Sequence, residues 1–472
     1  RMDSRAIKNT SAPSFYDGLE NLKGVDINTS SLTFKSVNTR GFAAFSNTRF
    51  MQLVDGMDNS SPALNFSLGN LLGMSELDVN TVEVLPGASS ALYGANAFNG
   101  ILFMTSKNPF TSPGVSVYAK SGITSQDAGG DNSFTDVGVR VAKVFSDKFA
   151  AKVSFSLLNG TEWFATDYNQ YIDKGAGSSD DIKDVNGPTF NQLNVYGDEV
   201  ALPMNFKSAA VGAGLITGAQ ADAMGIKDGV TISRTGYKES DLTDYKVKSF
   251  KADIAFHYRP NGDDLEIIWN SKIGQGNTIY QGASRYFLDN FLMHQHKLEI
   301  KNKNFFVRAY TTQEDAGDSY DMRFAGINLN KQTAEQWFGT YVPTYLGARL
   351  TGADDTSAHA AARAKSDVDV TLKSGSTEFN KALAAIKNDD LYFKYSGYRM
   401  AYNYCIGQIY RRDKKLASEI KKTVNIGIYK DYRDSYLHWK QFENPIEPYL
   451  KKGYNSYLKA NNQSKGIKSY SY

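Results

Sequence analysis

The sequence of 472 residues contains a single cysteine, Cys405, and no apolar run long enough for a transmembrane helix. One cysteine excludes a disulfide framework within the chain. Because a membrane-spanning helix needs about 20 predominantly apolar residues, the sequence excludes such a helix. Membrane-spanning strands carry a much weaker sequence signal, so the same absence leaves a membrane β-barrel open.

Charge of one sign and catalytic motifs are also scarce. The formal net charge of +3 is too small to indicate a nucleic-acid partner. No P-loop, G-x-S-x-G or zinc-protease motif is present, so we predict no enzymatic activity, no catalytic residue and no cofactor. The chain opens without the apolar core of a signal peptide, which fits a cytosolic protein or the mature part of an exported one. The strand pattern favours the exported protein.

Tyrosine and phenylalanine are abundant, with 29 and 27 copies, beside 40 glycines and only 11 prolines. Such a composition indicates strands that have one apolar and one wet face. Residues 1–110 have the pattern of a small mixed α/β unit, with a helix over 14–22. Short strands, separated by the turns Asp55-Gly56 and Pro86-Gly87, are predicted at 25–27, 36–40, 49–54, 82–85 and 101–105.

From residue 114 the pattern changes to strict alternation of apolar and polar residues. The alternating segments are about ten residues long, as a tilted membrane-spanning strand requires. They include 115–120, 137–142, 151–157 and 251–258.

The connections between these strands are predicted to alternate in length. Short ones are expected at 146–148, 259–264 and 302–304, and long polar ones at 123–135, 162–247, 274–284 and 313–390. Short turns on one side and long loops on the other are typical of an outer-membrane β-barrel. The alternative is a soluble β-sandwich, which seldom carries a connection of such length between neighbouring strands.

The segment from about Arg411 does not continue this pattern. It contains fourteen Lys and Arg against six Asp and Glu, and its alternation is faint. A basic tail that binds nucleic acid is one interpretation. We favour the other, a solvated segment without assigned strands, and predict no nucleic-acid partner.

Four motifs follow one another within the first 110 residues: 38–42 (NTRGF), 49–56 (RFMQLVDG), 83–94 (EVLPGASSALYG) and 99–107 (NGILFMTSK). In this order they resemble the plug domain of TonB-dependent outer-membrane receptors. The resemblance implies an antiparallel membrane β-barrel of about 22 strands when complete, of which this chain covers a part. The mixed α/β plug, residues 1–110, would lie inside the lumen, and residues 111–472 would form the N-terminal part of the barrel with long extracellular loops.

The function implied by the resemblance is energised uptake of a nutrient ligand, such as a siderophore, a glycan or a peptide, through a plugged barrel. The implied location is the outer membrane of a Gram-negative bacterium. The implied partners are outer-membrane lipid and periplasmic TonB with its inner-membrane energising complex. The alternative function is a non-transporting scaffold or surface-receptor subunit of an outer-membrane complex, with a surface lipoprotein or other outer-membrane subunits as partners.

The resemblance also suggests residues for two roles in the plug. Amide, hydroxyl and aromatic side chains in its outward-facing loops would suit a polar organic ligand: Phe42, Phe45, Asn59, Ser60, Ser61, Asn65 and Phe66. For each polar residue, a role in capping a turn is the open alternative. The motifs themselves would supply turns and anchors, through Gly41, Asp55, Gly56, Glu83, Gly87, Leu92, Tyr93, Gly94 and Gly100.

One position departs from the family pattern. The family usually has an arginine between the leucine and the glycine of the third motif, where it pairs with lumenal carboxylates of the barrel, and Pro86 stands there in this chain. Arg40 is therefore the candidate for the ion pair between plug and barrel. Separately, His294 and His296 share one side of a strand and could bind a metal. Because no nearby carboxylate or cysteine completes a ligand set, we favour ordinary lumenal histidines and predict no metal.

Overall fold

A computed structural model describes residues 1–387, except for 11, 13, 42–46, 70, 72, 95, 168–193, 197–201, 263 and 283. The chain divides into two compact units, Arg1–Leu383 and Ala384–Tyr472, and nearly all described residues belong to the first. The basic segment predicted from about Arg411 lies outside the described residues. In the described part, none of the helices is long and apolar enough to span a membrane.

The first domain contains the short strands and the helix that the sequence predicts. Its elements in chain order are β1 (Met2–Asp3), α1 (Ser4–Lys8), a 3-10 helix (Phe15–Asn21), β2 (Val25–Thr29), β3 (Lys35–Thr39), β4 (Met51–Val54), β5 (Met57–Asp58), β6 (Val79–Pro86), α2 (Ser90–Tyr93) and β7 (Gly100–Ser106).

Two sheets build this domain. A five-stranded sheet has the order β1-β6-β7-β4-β5, and β2 pairs with β3 in a separate hairpin. Only β4 and β7 run parallel. The predicted turn at Asp55-Gly56 is confirmed: both residues have positive φ, 50° and 76°, and they join β4 to β5 as a two-residue hairpin.

The helix predicted over 14–22 is present but has 3-10 geometry. The Ser14 hydroxyl accepts a hydrogen bond from the Tyr16 amide at 3.2 Å and so caps its first turn. The rings of Phe15 and Tyr16 and the side chain of Leu19 are buried in the core of the domain. The Tyr16 hydroxyl donates to the Gln52 side chain at 2.9 Å, which ties the helix to β4.

The second part of the chain contains a long antiparallel sheet and two insertions. Its elements in chain order are β8 (Gly114–Gln126), β9 (Gly130–Ser146), β10 (Phe149–Thr161), β11 (Val195–Tyr196), β12 (Leu202–Met204), α3 (Phe206–Gly212), α4 (Gly218–Ala223), β13 (Val230–Ile232), β14 (Tyr237–Lys238), α5 (Glu239–Leu242), β15 (Lys246–Tyr258), β16 (Glu266–Gln281), β17 (Arg285–Lys301), β18 (Phe306–Asp315), β19 (Tyr320–Asp321), α6 (Met322–Gln332), α7 (Ala334–Leu350), α8 (Asp355–Asp369) and α9 (Thr377–Lys387).

The long strands pair in the order β18-β17-β16-β15-β10-β9-β8, and the short β19 also pairs with β17. Each long strand is antiparallel to its neighbours. Within the described residues the sheet is open, with β8 and β18 at its edges.

The predicted short connections are confirmed, and two of the four predicted long connections are wrong, because the strands there are longer and the connections shorter. Strands end and begin again around 147–148, 259–265 and 302–305. At the other ends, β8 and β9 leave only 127–129 between them, and β16 and β17 leave only 282–284. The strand ends carry polar residues on both faces, so the alternation fades several residues before the pairing stops.

The other two long connections are present, and each contains folded elements. They share one hydrophobic core, to which the connection after β10 contributes Phe206 and Ile232, and the connection after β18 contributes Trp337 and Tyr341. We call residues 202–245 and 320–383 the helical subdomain. Both connections leave the sheet at the strand ends that lie opposite the three confirmed short turns.

Candidate functional site

The two faces of the long sheet differ in polarity. On the face that points away from the first domain, large apolar side chains are exposed, among them Val115, Val117, Val153, Trp269 and Leu298. Pairing in register places these residues on one face of the sheet. We call this the outer face. A soluble protein normally buries its apolar sheet face, so this surface requires an apolar environment.

The opposite face, which we call the inner face, is polar and buried. It carries Arg140, Lys152, Asn270, Lys297 and Glu299, all with little exposure. The first domain packs against it through hydrogen bonds and ion pairs and, around Phe66 and Tyr280, through an apolar cluster. A polar inside and an apolar outside are the arrangement of a membrane β-barrel.

Aromatic rings form a row on the outer face, near the strand ends that the short turns connect. Phe149 stacks on Phe256 with ring centroids 6.1 Å apart, and Phe256 stacks on Trp269 at 5.5 Å. We call these three side chains the aromatic row. They lie within four residues of the strand ends that the short turns connect. Rows of this kind mark the boundary between hydrocarbon and water in membrane barrels.

Among the described residues, Asp78 makes the most deeply buried ion pairs between the first domain and the sheet. One of its oxygens accepts a hydrogen bond from Arg140 Nε at 2.7 Å, and the other accepts from Lys152 Nζ at 2.6 Å. Arg140 belongs to β9 and Lys152 to β10, so one carboxylate holds two neighbouring strands. Each cation donates a further bond to the linker that leads into the sheet, to the carbonyls of Ser112 and Lys107 respectively, both at 3.0 Å.

Asp55 makes a second buried contact, at the turn between β4 and β5. Its carboxylate lies 3.3 Å from Lys272 Nζ and accepts from the Ser106 amide at 2.8 Å. Lys297 Nζ donates to its backbone carbonyl at 3.2 Å. Burial by itself would raise the pKa of Asp55, but the ammonium groups of Lys272, Lys152 and Lys297 hold that pKa well below its usual range.

The glycine of the same turn fits closely against the sheet. The Gly56 carbonyl accepts a hydrogen bond from Arg308 Nη1 at 3.2 Å. A Cβ at Gly56 would lie 1.8 Å from that nitrogen, so a larger residue requires Arg308 to move. Glu76 makes a third ion pair at the other end of the strand order, with its carboxylate 2.6 Å from Lys120 Nζ in β8. In these pairs the first domain supplies the carboxylates and the sheet supplies the cations.

Arg40, which the sequence suggested for this contact, lies elsewhere. It occupies a turn after β3 with φ of 58°, and its guanidinium lies next to Gly87. Within the described part of the sheet, no carboxylate pairs with it. Its turn faces the β6–α2 connection, and its role as an ionic anchor stays a prediction. Among the described residues, Asp78 and Asp55 make the buried ion pairs with the sheet.

The loop after Asp58 also packs against the sheet. Ser61 Oγ donates to Glu314 of β18 at 2.6 Å, and the Ala63 amide donates to the same carboxylate at 2.7 Å. The buried Phe66 ring meets the stacked rings of Phe34 and Tyr280 edge-on, with centroids 6.3 and 5.7 Å away.

These contacts bear on the residues predicted to meet a ligand. Ser61 and Phe66 are buried against the sheet, and Asn59 is also buried, because the loop closes over the inner face. Their contact with a ligand stays a prediction. Asn65 is exposed and Ser60 is half-buried, and their contact with a ligand stays a prediction. Phe42 and Phe45 lie outside the described residues.

The glycines of the plug motifs adopt the conformations expected of turns. Positive φ is found at Gly41, Gly56, Gly87, Gly94 and Gly100. Of the two residues predicted to anchor these turns, one makes a packing contact and the other does not. Tyr93 contacts Phe103 edge-on with ring centroids 5.5 Å apart, whereas Leu92 is 84% exposed and anchors nothing in the described structure. Glu83 forms an exposed ion pair with Arg1 at 3.3 Å.

Glu162, the first residue after β10, connects the first domain to the insertions. Its carboxylate is fully buried and accepts hydrogen bonds from the Leu32 amide at 2.6 Å and from the Thr33 hydroxyl. Burial raises the pKa of Glu162 above its ordinary value, although these donors oppose the shift. The neighbouring Trp163 carbonyl accepts from Arg285 Nη2 at 3.2 Å.

Arg285 in turn reaches the helical subdomain. It pairs with the fully buried Glu239 at 3.1 Å, and Glu239 also accepts hydrogen bonds from the hydroxyls of Tyr196 and Tyr245. Together with Glu162, these contacts form a continuous path of hydrogen bonds from residues 32–33 of the first domain to α5. No sequence pattern predicts this path, since its members are single charged or polar residues in separate segments.

The cavities between the first domain and the sheet are small. Two of them have volumes of about 20 and 30 Å³, and Lys251, Met74 and Ser75 border both. A volume of this size holds about one water molecule and is far below that of a pocket for an organic ligand. These cavities therefore belong to a tight contact between two parts of the chain.

His294 and His296 lie on the outer face, so the prediction that they are lumenal is wrong. Their neighbours Met293 and Gln295 are buried on the inner face, and alternation along β17 turns the two imidazoles outward. Among the described residues, no group of three or more His, Cys, Asp or Glu is placed to hold a metal ion.

Comparison with known families identifies the first domain. The family model described as the TonB-dependent Receptor Plug Domain matches residues 1–101. The resemblance drawn from the four sequence motifs is thus confirmed, and this segment is a plug domain. A second family model, described as a protein of unknown function (DUF3810), matches residues 375–472. No curated protein matches the chain.

Solved structures similar to the chain include siderophore receptors and a copper transporter. The ferric enterobactin receptor PfeA of Pseudomonas aeruginosa is 14% identical with a TM-score of 0.38, and the match covers 66% of this chain and 40% of that one. The siderophore receptor PirA of the same organism is 12% identical with a TM-score of 0.37 and the same coverage. The copper transporter OprC is 12% identical with a TM-score of 0.34, covering 63% and 34%. The chain spans about 40% of the length of the first of these structures.

Proposed function

We propose that this chain, whose first domain is a TonB-dependent receptor plug, is part of an outer-membrane receptor that takes up a nutrient ligand by energised transport. The observation that carries the proposal is the polarity of the long sheet, which is apolar on its outer face and polar where it meets the plug. A sheet that is surrounded by hydrocarbon and encloses a polar lumen is stabilised by that arrangement. The plug match supplies the link to TonB.

The proposal includes an orientation in the membrane. The linker from the plug enters β8 at the edge with short turns, where Asn108 donates to Glu266 at 3.0 Å and Arg259 stacks on Phe110. We assign this edge to the periplasm, where TonB acts. The helical subdomain then lies outside the cell, and outer-membrane lipid contacts the outer face. Siderophores, glycans and peptides are the ligand classes to test.

The buried ion pairs provide a way to hold the plug that transport can reverse. Asp78 pairs with Arg140 and Lys152, and Asp55 pairs with Lys272. The three cations come from three different strands, and each pair gives up hydration to form. Breaking such a pair by removing one partner costs about 3–5 kcal/mol, because the remaining charge stays buried. Displacement that admits water to both partners costs less, since the separated charges regain hydration. Work delivered through TonB would supply that displacement.

An uptake assay tests this function. Cells with and without the chain would be given labelled ferric siderophores, oligosaccharides and peptides, and accumulation would be measured with and without a protonophore. We expect accumulation of one class to require both the chain and the proton gradient. Accumulation of every class independent of the chain, with the chain present in the outer membrane, would contradict the transport function.

A non-transporting receptor or scaffold is the second candidate function. The observation that favours it is the helical subdomain, in which the two insertions build a folded unit with its own core. A folded unit presents a fixed surface to a partner such as a surface lipoprotein. In that case the same uptake assay would show no dependence on the chain, while purification from membranes would retain a second subunit.

A further inference from the structure

Cations form a belt at one height on the inner face of the sheet. Backbone pairing through β10 and β15 places Arg140 of β9 and Lys272 of β16 in one row across the strands. Lys152 of β10 and Lys297 of β17 lie in the adjacent row, about 7 Å nearer the short turns. We call these four side chains the cationic belt. Each belongs to a different strand, so the belt extends from β9 to β17.

The plug supplies negative charge to three members of the belt. Asp78 pairs with Arg140 and Lys152, and the Asp55 carboxylate lies 3.3 Å from Lys272 Nζ. Among the described residues, Arg140 and Lys152 form no ion pair with a carboxylate of the sheet. Displacement of the plug therefore removes the countercharge of both cations.

The carboxylates that the sheet itself places beside the belt do not replace this charge. Asp253 lies 3.8 Å from Lys272, and Glu299 lies 3.2 Å from Lys297. Glu299 also binds Arg308 at 2.7 Å, so it is shared between two cations. In the described part of the sheet, two carboxylates then face the four belt cations and Arg308. The belt is left with a net positive charge when Asp78 and Asp55 move away.

Arg140 has a donor in reserve for an anion. Its Nε donates to Asp78 at 2.7 Å, and its Nη1 donates to the Ser112 carbonyl at 3.0 Å. Its Nη2 is buried and has no hydrogen-bond partner among the described residues. Nε and Nη2 share one edge of the guanidinium, and such an edge binds both oxygens of a carboxylate or phosphate. Asp78 uses half of that edge, because its second oxygen binds Lys152.

We propose that the ligand of this receptor is an anion, and that its carboxylate, phosphate or sulfate groups take the places of Asp78 and Asp55 on the cationic belt while the plug is displaced. The inference rests on the proposed transport function and narrows it. A passage lined by Lys and Arg favours anions, because the local field concentrates charges of opposite sign. A neutral ligand would leave the belt without countercharge. Siderophores, glycans and peptides all have anionic members, so the belt selects among the members of a class.

The ion selectivity of the full chain in a planar lipid bilayer tests the charge of the passage. Asp78→Asn leaves two buried cations unpaired and should loosen the plug, which opens the passage without TonB or a proton gradient. The reversal potential in a KCl gradient then compares Cl⁻ with K⁺, two ions of nearly equal mobility. We expect Cl⁻ to permeate about tenfold better than K⁺. Because energised transport plays no part in this measurement, its failure is distinct from a failure of the proposed function.

A second variant isolates the belt from the plug. In Lys297→Gln the new amide can still donate to the Asp55 carbonyl, as Lys297 Nζ does at 3.2 Å. Added to Asp78→Asn, this change should lower the permeability ratio of Cl⁻ to K⁺ by about half. The matched control is Lys303→Gln, which removes the same charge from an exposed short turn and should leave the ratio unchanged.

Uptake by cells gives an independent measurement. Ligands matched in size would be compared in pairs: an acidic peptide and the same peptide with amide side chains, an oligouronate and a neutral oligosaccharide, and an anionic and a neutral ferric siderophore. We expect chain-dependent accumulation of an anionic member and not of its neutral counterpart. A reversal potential that shows no preference or a preference for K⁺, an unchanged ratio in Lys297→Gln, or equal chain-dependent accumulation of both members of a pair would each overturn the proposal.

Discussion

Asp78 of the plug and Arg140 of β9 are 62 residues apart in the sequence, and their side chains form a 2.7 Å hydrogen-bonded ion pair that is almost completely buried. Lys152 binds the second oxygen of the same carboxylate. The three charged groups are between 1% and 3% exposed. The charges are the reverse of those expected, since an arginine of the plug was predicted to meet carboxylates of the barrel.

The first prediction concerns this pair. Asp78→Asn leaves two buried cations without their counter-charge, which should reduce the free energy of unfolding of the plug by about 3–5 kcal/mol. The expected result is faster protease cleavage within residues 1–107 and greater entry of large antibiotics into cells. Matched controls are Glu83→Gln, whose pair with Arg1 is exposed and worth about 0–1 kcal/mol, and Arg40→Ala. Equal cleavage rates in all three variants would refute the role of Asp78.

A second prediction concerns the fit of the β4–β5 turn against the sheet. Gly56→Ala and Gly24→Ala introduce the same side chain at nearly equal φ, 76° and 75°. Only at Gly56 would the new Cβ meet the guanidinium of Arg308, since nothing lies within 4 Å of the Cβ position at Gly24. We expect Gly56→Ala to cost about 1–3 kcal/mol more than Gly24→Ala, the value of a hydrogen bond to a charged group. Thermal unfolding measures the difference, and equal midpoints would contradict the contact.

The third prediction tests where Phe66 lies. Its ring packs against Phe34 and Tyr280, so Phe66→Ala should lower the free energy of unfolding by about 3–5 kcal/mol. Leu92→Ala removes an exposed side chain and should change it by less than about 0.5 kcal/mol. A residue that only lines an open ligand site would behave like Leu92. Unfolding of both variants in denaturant decides between these two roles.

A fourth prediction is a dependence on pH at Glu162. Burial raises the pKa of this carboxyl in the folded chain, so folding favours its protonated form. Its contribution to stability is fully present below the unfolded value of 4.5 and is lost as the pH rises through the higher folded pKa. Glu162→Gln stays neutral and should lack this part of the pH dependence, whereas Glu83→Gln should keep it. Identical slopes of the unfolding midpoint against pH in Glu162→Gln and the wild-type chain would refute the prediction.

Much of the architecture could be predicted because the patterns are local. Apolar residues stand at every second position of each strand, as Val115 and Val117 do in β8. A sheet with one apolar face requires that period. The turns at 147–148 and 302–305 follow from the same pattern. The strand ends around Gln126 and Gln281 could not be predicted, since polar residues on both faces remove the alternation while the backbone pairing continues.

The plug–sheet contacts could not be predicted for a different reason. Each joins residues that are distant in the sequence, and no local pattern states which cation will face Asp78 or Asp55. A partial signal was available: Lys152, Lys272 and Lys297 occupy polar positions of alternating strands, where a lumen would need a countercharge. The helical subdomain escaped prediction because its core forms between two insertions and belongs to neither alone.

We propose that the sheet lies in the outer membrane, with the short turns in the periplasm and the helical subdomain outside the cell. Single cysteines in a Cys405→Ser background test it: Leu215→Cys in the helical subdomain, where the native side chain is 53% exposed, and Lys303→Cys in an exposed short turn. A membrane-impermeant maleimide is added to intact cells and to cells with a permeabilised outer membrane. We predict labelling of Leu215→Cys in both and of Lys303→Cys only after permeabilisation. Labelling of Lys303→Cys in intact cells, or protection of Leu215→Cys there, would contradict the claim.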